Sequence, residues 1–183
     1  LQADDWRDEA FHTALRQEYT VSTNGLTDRG SFYASVGYLD EDGIIDYSGY
    51  QRITARFKTD YQARKWLKVG INVGYTNSKT TSNPNIGTSG NSTNLSYYTN
   101  NIPPIYPIYV RTYNNGEIAI KTNETTGHPE YDYGTTGAAY TGYPGLSRPF
   151  SQTGNPLGTN RYNRSWSKGQ QFNATATADI DFT

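Results

Sequence analysis

Residues 67–75 read Leu-Lys-Val-Gly-Ile-Asn-Val-Gly-Tyr, and this stretch decides the fold class. Every odd position from Leu67 to Tyr75 holds a large apolar or aromatic side chain, whereas the even positions hold Lys, Gly or Asn. Successive side chains of a β-strand point to opposite faces of its sheet. This period of two therefore predicts a strand with one apolar face and one polar face.

Four further stretches repeat this alternation, and they keep their charged side chains on one face. In one of them Arg52, Arg56 and Lys58 alternate with Ile53 and Phe57. We predict five strands in all, at residues 18–23, 31–39, 52–59, 67–75 and 172–182. A helix is predicted over residues 4–16, because an aspartate can cap it and apolar residues recur at helical spacing.

The composition excludes several classes of protein. The 183 residues carry 16 Lys and Arg against 17 Asp and Glu, so there is no basic block to neutralise nucleic-acid phosphates. The absence of cysteine removes disulfide frameworks and thiolate zinc sites. No pattern indicates a cofactor. Because Met is absent even at position 1, we expect a piece of a longer protein.

The lengths of the connections favour a membrane barrel over other antiparallel sheets. Short predicted turns at residues 25–28 and 63–65 alternate with longer connections at 40–50 and 80–167. Outer-membrane barrels alternate short periplasmic turns with longer extracellular loops in this way. Five strands cannot close even an eight-stranded barrel, so we predict an all-β, antiparallel transmembrane segment of a larger barrel wall.

The longest connection, residues 80–167, is predicted to be a folded excursion. It contains all eight prolines of the chain but is also rich in Tyr and Ile, which disordered segments lack. Residues 105–121 alternate on both sides of Asn114-Asn115-Gly116, so we predict a hairpin there.

Several motifs, in chain order, resemble one family. They include Trp6-Arg7-Asp8-Glu9-Ala10-Phe11, the stretch 33–44 from Tyr-Ala-Ser-Val-Gly-Tyr to Asp-Glu-Asp-Gly-Ile, Arg52-Ile53-Thr54-Ala55-Arg56, Trp66-Leu67-Lys68-Val69-Gly70, Pro104-Ile105-Tyr106-Pro107-Ile108-Tyr109, Tyr131-Asp132-Tyr133-Gly134, Arg148-Pro149-Phe150 and Gly154-Asn155-Pro156-Leu157. Over nearly its whole length the chain resembles the SusC/RagA-like TonB-dependent outer-membrane transporters of Bacteroidota.

The resemblance implies a 22-stranded barrel with a plug domain, in the outer membrane of a Gram-negative bacterium. It also implies import of oligosaccharides or peptides with a SusD-like surface lipoprotein, and coupling to TonB through a plug region that this chain lacks. Residues 1–16 would end an extracellular loop, 17–79 would form four barrel strands, 80–167 a long extracellular loop and 168–183 a fifth strand. No covalent chemistry is expected.

Two groups of side chains are candidates for function. Polar residues on one strand face would line a water-filled lumen, namely Arg52, Arg56, Lys58, Lys68, Asp179 and Asp181. In the long loop, tyrosine rings can stack on sugars or accept peptide backbones, and a neighbouring charge can orient polar groups. The candidates for substrate contact there are Tyr131, Asp132, Tyr133 and Arg148.

Two other classes of function remain open at this point. A soluble all-β carbohydrate-binding module or adhesin domain could bury the apolar faces in a sandwich. A glycan-cleaving enzyme could use Asp179 and Asp181, whose carboxyl groups would lie roughly 7 Å apart on one strand face. A metal site is not predicted, because the acidic stretch at 40–43 departs from EF-hand order and neither His12 nor His128 has a ligand pattern.

Overall fold

A computed structural model of the chain describes residues 3–82, 95–114, 116–133 and 154–182. The elements are α1 (Trp6–Ala10), β1 (Arg16–Thr27), β2 (Gly30–Asp42), β3 (Gly49–Arg64), β4 (Leu67–Ser82), α2 (Leu95–Asn101), β5 (Arg111–Asn114), β6 (Glu117–Ile120), α3 (Pro156–Tyr162) and β7 (Ser165–Ile180).

The chain divides into two compact units. The first, which we call the loop unit, comprises Leu1–Thr13, Ile44–Tyr47 and Asn83–Ser165. The second, the sheet unit, comprises Ala14–Gly43, Ser48–Ser82 and Trp166–Thr183. In the described residues, no helix has the length and apolar character needed to cross a membrane.

The sheet unit is a five-stranded antiparallel sheet in the order β1-β2-β3-β4-β7. Two-residue turns at Asp28-Arg29 and Lys65-Trp66 connect β1 to β2 and β3 to β4. The prediction of an all-β, antiparallel fold is thus confirmed, and the sheet is consistent with a segment of barrel wall.

The strands are longer than predicted, and the first turn, predicted at residues 25–28, lies later, at Asp28-Arg29. Asn24 and Gly25 do not turn the chain, because they lie inside β1 and Gly25 pairs with Phe32. The Phe32 ring lies directly over Gly25, where a Cβ atom would clash with it. The ring covers a position that lacks a side chain, so pairing continues to Thr27.

The predicted helix is also shorter, and it ends at Ala10. The Asp5 side chain caps it by accepting hydrogen bonds from the backbone N–H groups of Arg7 and Asp8. Phe11 then adopts an extended conformation, with φ −127° and ψ 133°, which ends the helix. Trp6 and Ala10 are its buried residues, so only one turn of the predicted apolar face packs inward.

The predicted hairpin is present as β5 and β6, but its first arm is shorter than expected. Pairing begins at Arg111 with Ile120, and Gly116 has a φ of +87° in the turn, as Gly readily allows. Residues 105–110 do not belong to β5. Buried Pro107 has no N–H group to donate to a partner strand.

One hydrogen bond and two close approaches indicate how β7 pairs with β4. A Cβ atom on Gly70 would lie 2.6 Å from Thr177 Oγ1, and one on Gly169 would lie 2.9 Å from Ser78 Oγ. The backbone N–H of Asp181 donates to the carbonyl of Trp66 at 3.0 Å. These contacts share one antiparallel register, which places Asp179 opposite Lys68 and Lys168 opposite Lys79.

The sheet has an apolar face whose large side chains are mostly exposed. Its rows across β2, β3 and β4 are Gly30, Tyr61 and Val69; Phe32, Thr59 and Ile71; Ala34, Phe57 and Val73; Val36, Ala55 and Tyr75; and Tyr38, Ile53 and Asn77. Val36 is 58% exposed and Ile71 is 49% exposed. Among described residues, the buried hydrophobic side chains lie in the loop unit, apart from Leu39.

Two glycines of the sheet, Gly30 on β2 and Gly74 on β4, allow a test of how closely β2 packs against β3. A Cβ atom on Gly30 would clash with the backbone carbonyl oxygen of Asp60, whereas one on Gly74 would meet nothing within 4 Å. We expect Gly30→Ala to destabilise the sheet by about 1–3 kcal/mol, because backbone must move. Gly74→Ala should change stability by less than about 1 kcal/mol. Urea unfolding of the full-length protein compares them, and equal midpoints would contradict this packing.

Candidate functional site

The polar face of the sheet gathers most of the charged residues singled out in the sequence. Arg52, Arg56 and Lys58 lie two or four residues apart on β3 and therefore share one face. Arg52 Nη2 lies 3.9 Å from Glu18 Oε1, and Lys58 Nζ lies 3.9 Å from Asp60 Oδ2. Such long, solvent-exposed pairs contribute little to stability, so these charges remain available to solvent.

The remaining strand candidates divide into one cross-strand pair and one residue outside the strands. Lys68 and Asp179 occupy opposite positions on the polar face of β4 and β7. Asp181 lies just beyond Ile180, the last residue of β7, although its backbone N–H still donates to the carbonyl of Trp66 in the same register. The lumen-facing role of all six residues stays a prediction.

The loop unit brings the candidate tyrosines into one aromatic cluster. The rings of Tyr109 and Tyr131 have centroids 5.1 Å apart, and the Tyr109 hydroxyl donates to Glu9 Oε1 at 2.5 Å. Burial, followed by this hydrogen bond, raises the pKa of Tyr109 far above its usual range. The Tyr109 hydroxyl therefore keeps its proton and serves as a donor at physiological pH.

Tyr133 packs against the same helix as Tyr131. A Cβ atom on Gly158 would collide with the Tyr133 hydroxyl and lie 2.8 Å from Tyr131 Cγ. Burial is the main cause that raises the pKa of Tyr133. Both rings therefore support α3 with one side while remaining partly exposed, and their contact with substrate stays a prediction.

Asp132 lies in the interior of the loop unit, with 1% of its surface exposed. Its backbone N–H donates to the carbonyl of Ile108 at 2.9 Å, and its own carbonyl accepts from Asn155 Nδ2 at 3.1 Å. In this conformation a ligand does not reach its carboxyl group, so the predicted contact would require a rearrangement. Arg148 lies outside the described residues.

Asn155 organises the interior of the loop unit, although it was not among the predicted site residues. It is fully buried; its Nδ2 also donates to the carbonyl of Ile108 at 2.8 Å, and its Oδ1 caps α3 by accepting from Gly158 N–H at 3.2 Å. The signal was present, because Asn followed by Pro156 is typical of a helix N-terminus. Its bonds to distant carbonyls carry no sequence signature.

The acidic cluster near the N-terminus lines a cleft of about 430 Å³ in the loop unit. Asp4 forms an ion pair with Arg111 and accepts from Ile108 N–H, while Asp5 caps α1 and Glu9 accepts from Tyr109. These three carboxylates are therefore engaged in hydrogen bonds and an ion pair inside the loop unit. Over the described ranges, no group of three His, Asp or Glu side chains is arranged to hold a metal ion.

In sequence, the chain is similar to parts of much longer curated proteins that are named as receptors. It is 33% identical to the TonB-dependent receptor P39 of Formosa agariphila over 66 residues, which cover 36% of this chain and 6% of that protein. It is 35% identical to the TonB-dependent receptor SusC of Bacteroides thetaiotaomicron over 81 residues, which cover 41% of this chain and 8% of that protein. No family model matches the chain.

A third relative, the TonB-dependent receptor P3 of Formosa agariphila, is 32% identical over 69 residues, or 38% of this chain and 7% of that protein. The resemblance predicted from the sequence motifs is confirmed: the chain is similar to parts of SusC-like TonB-dependent receptors. These matches span less than a tenth of each relative's length. The relatives are named as receptors and not as enzymes.

Proposed function

We propose that this chain forms part of the barrel wall of a SusC/RagA-like TonB-dependent transporter in the outer membrane of a Gram-negative bacterium. The observation that carries the proposal is the exposed apolar face of the sheet. An extensive apolar surface on a single-layer sheet needs an apolar neighbour, and lipid supplies one continuously along every strand.

The height of this apolar face along the strands supports contact with the apolar layer of a membrane. At one end, the rows stop at the polar row Gln17, Asp40, Gln51, Lys79 and Lys168. At the other end, Leu67 lies opposite Ile180. The ten residue steps from Leu67 to Asn77 span about 33 Å along the strand at ~3.3 Å per step. A strand tilt of about 40° reduces this to about 25 Å, the height of the apolar band of outer-membrane barrels.

Two tyrosines lie at the boundary between apolar and polar rows. The Tyr19 hydroxyl donates to Gln17 Oε1 at 3.0 Å, and the Tyr38 hydroxyl donates to Asp40 Oδ2 at 2.9 Å. Their rings therefore belong to the apolar band while their hydroxyl groups reach the polar row. This is the arrangement of aromatic girdle residues at a membrane interface.

In this proposal the polar face lines the lumen, with Arg52, Arg56, Lys58, Lys68 and Asp179 toward water and Asp181 at the end of the wall. The two-residue turns face the periplasm, and residues 17–79 and 168–183 form the wall. Residues 1–16 and 80–167 belong to extracellular loops. The support is the alternation of two-residue turns with longer connections.

The transporter would import oligosaccharides or peptides under a SusD-like lipoprotein and draw energy from TonB through its plug region. This part of the proposal rests on the resemblance to TonB-dependent receptors. The chain itself would supply barrel wall, lumen lining and part of the outer vestibule. Tyr131 and Tyr133 are its proposed contacts with cargo, and Arg148 and Asp132 would orient polar groups.

The test is extraction of the natural polypeptide that contains this sequence, with and without detergent, followed by gels of unheated and boiled samples. We expect a protein several times larger than 20.5 kDa that requires detergent and changes mobility on boiling, as closed barrels do. A 20 kDa protein that dissolves without detergent would overturn the proposal and favour a soluble carbohydrate-binding module.

A further inference from the structure

Two arginines at the end of α3 are held in place by uncharged groups. Arg164 Nε donates to the carbonyl of Arg161 at 3.0 Å, and its guanidinium carbon lies 4.1 Å from the centroid of the Tyr47 ring. Arg161 forms a hydrogen bond with the Tyr131 hydroxyl, which is the main cause that raises the pKa of Arg161. Neither contact neutralises a positive charge.

Two other cations of the loop unit, Arg111 and Lys121, are paired with carboxylates. Arg111 pairs with Asp4, and Lys121 Nζ lies 2.8 Å from Glu130 Oε2. In the described portion of the chain, neither Arg161 nor Arg164 has a carboxylate oxygen within 4.0 Å, and both interact with Tyr47. Asp46, beside Tyr47, lies 3.1 Å from His12 Nε2 instead. Both guanidinium groups thus lack a counter-anion among the described residues.

The two tyrosines beside these arginines, Tyr47 and Tyr162, also have unusual features. Tyr47 has a φ of +64°, in the left-handed region that bulky side chains seldom adopt, and such strain concentrates at ligand-binding sites. Tyr162 follows Arg161 directly and is 69% exposed, so its ring can receive a flat apolar surface. Arg161 interacts electrostatically with both tyrosines.

A purely structural explanation accounts for only one of the two arginines. Arg161 lies in the last turn of α3, where a positive charge suits the helix dipole. Arg164 lies two residues beyond Tyr162, the end of the helix, and stacking on Tyr47 leaves the outer edge of its guanidinium group for bidentate hydrogen bonds. Guanidinium groups bind carboxylates in that geometry.

We propose that Arg161, Arg164, Tyr47 and Tyr162 form a binding site for an acidic sugar unit of the cargo. The two guanidinium groups bind the carboxylate of a uronic acid, and the exposed Tyr162 ring packs against the C–H face of the sugar. This inference rests on the proposed transport function and narrows its cargo to acidic oligosaccharides.

The test measures calorimetric binding of two tetrasaccharides to the detergent-solubilised full-length protein. One is tetragalacturonic acid, and the other is its methyl ester, which keeps the sugar but removes the negative charges. We expect the wild-type protein to bind the acid at least about tenfold more tightly, because charge-assisted hydrogen bonds are roughly twice as strong as neutral ones. The double variant Arg161→Gln and Arg164→Gln should bind both equally weakly.

Arg7→Gln is the matched control, because it removes an exposed arginine of α1 in the same unit and should keep the tenfold preference. Arg164→Lys keeps the charge but loses the planar fork, so it should lose most of the preference while the protein still folds. Equal binding of acid and ester by the wild-type protein would overturn the inference.

The outcome also separates this inference from the proposed function. A detergent-requiring, heat-modifiable protein without a preference for the acid would leave the transporter proposal standing and remove the acidic-sugar site. If the double variant keeps its preference for the acid but no longer retains a SusD-like lipoprotein during purification, the surface is a protein contact and the inference is wrong.

Discussion

An arginine in place of Val73 is expected to prevent most of the protein from assembling in the outer membrane, whereas an arginine in place of Thr76 should have little effect. Both residues lie on β4 and are half-buried, but Val73 lies on the middle row of the apolar face, opposite Phe57. Thr76 lies on the polar face, opposite Thr54. Arginine at the bilayer midplane of a barrel costs about 2–4 kcal/mol.

Such a cost corresponds to a factor of roughly 30 to 1,000 in the folding equilibrium. It is measured as the fraction of heat-modifiable protein in outer-membrane preparations, or by guanidinium unfolding in lipid vesicles. Thr76→Arg is the control for added size and charge on the same strand. If the two variants assemble equally well, the apolar face does not meet lipid.

Replacing Asn155 by alanine is expected to lower the free energy of local unfolding of the loop unit. Replacing Asn160 by leucine should leave this free energy unchanged or raise it. Both asparagines are buried, at 0% and 3% exposure, and both lie at or within α3. Asn155 makes three hydrogen bonds, but Asn160 Nδ2 and Oδ1 have no partner among the described residues.

Asn155→Ala removes the helix cap, worth about 1 kcal/mol, and removes the donor to the carbonyl of Asp132, at about 1–3 kcal/mol. The carbonyl of Ile108 also loses this donor but still accepts from the backbone N–H of Asp132. We therefore expect a loss of about 2–4 kcal/mol. Asn160→Leu replaces an unpaired polar group by an apolar group of similar size, which is nearly neutral or favourable.

Hydrogen exchange of α3 in the full-length protein distinguishes these cases, because opening exposes its backbone N–H groups. Asn163→Ala, at the exposed end of the same helix, should change the opening free energy by less than about 0.5 kcal/mol. Faster exchange in Asn160→Leu than in Asn155→Ala would show that the hydrogen bonds assigned to these residues are wrong.

The strands and their faces were predictable because alternation is a local property. The pattern in residues 67–75 predicted β4, and the same rule placed Arg52, Arg56 and Lys58 on one face of β3. The end of β1 was not predictable in this way. Asn24-Gly25 is a strong local turn signal, but the Phe32 ring on the neighbouring strand stabilises continued pairing over Gly25.

The interior of the loop unit was less predictable because long-range contacts determine it. Tyr131, Asp132 and Tyr133 are adjacent in the sequence, yet the middle residue is buried and the outer two are partly exposed. The surroundings of Asp132 come from Ile108 and Asn155, which lie more than 20 residues away on either side. A sequence motif can therefore identify this segment without showing which side chain faces outward.

The three-part composition of the loop unit has a consequence for how the chain reaches its native state. Trp6 Nε1 donates to the carbonyl of Tyr106, a hundred residues later, and Asp4 contacts Arg111. The hairpins β1–β2 and β3–β4 close over two-residue turns, so they can form first. Trp6 must stay exposed to solvent until the later residues arrive, so the chain is most prone to aggregation during this interval.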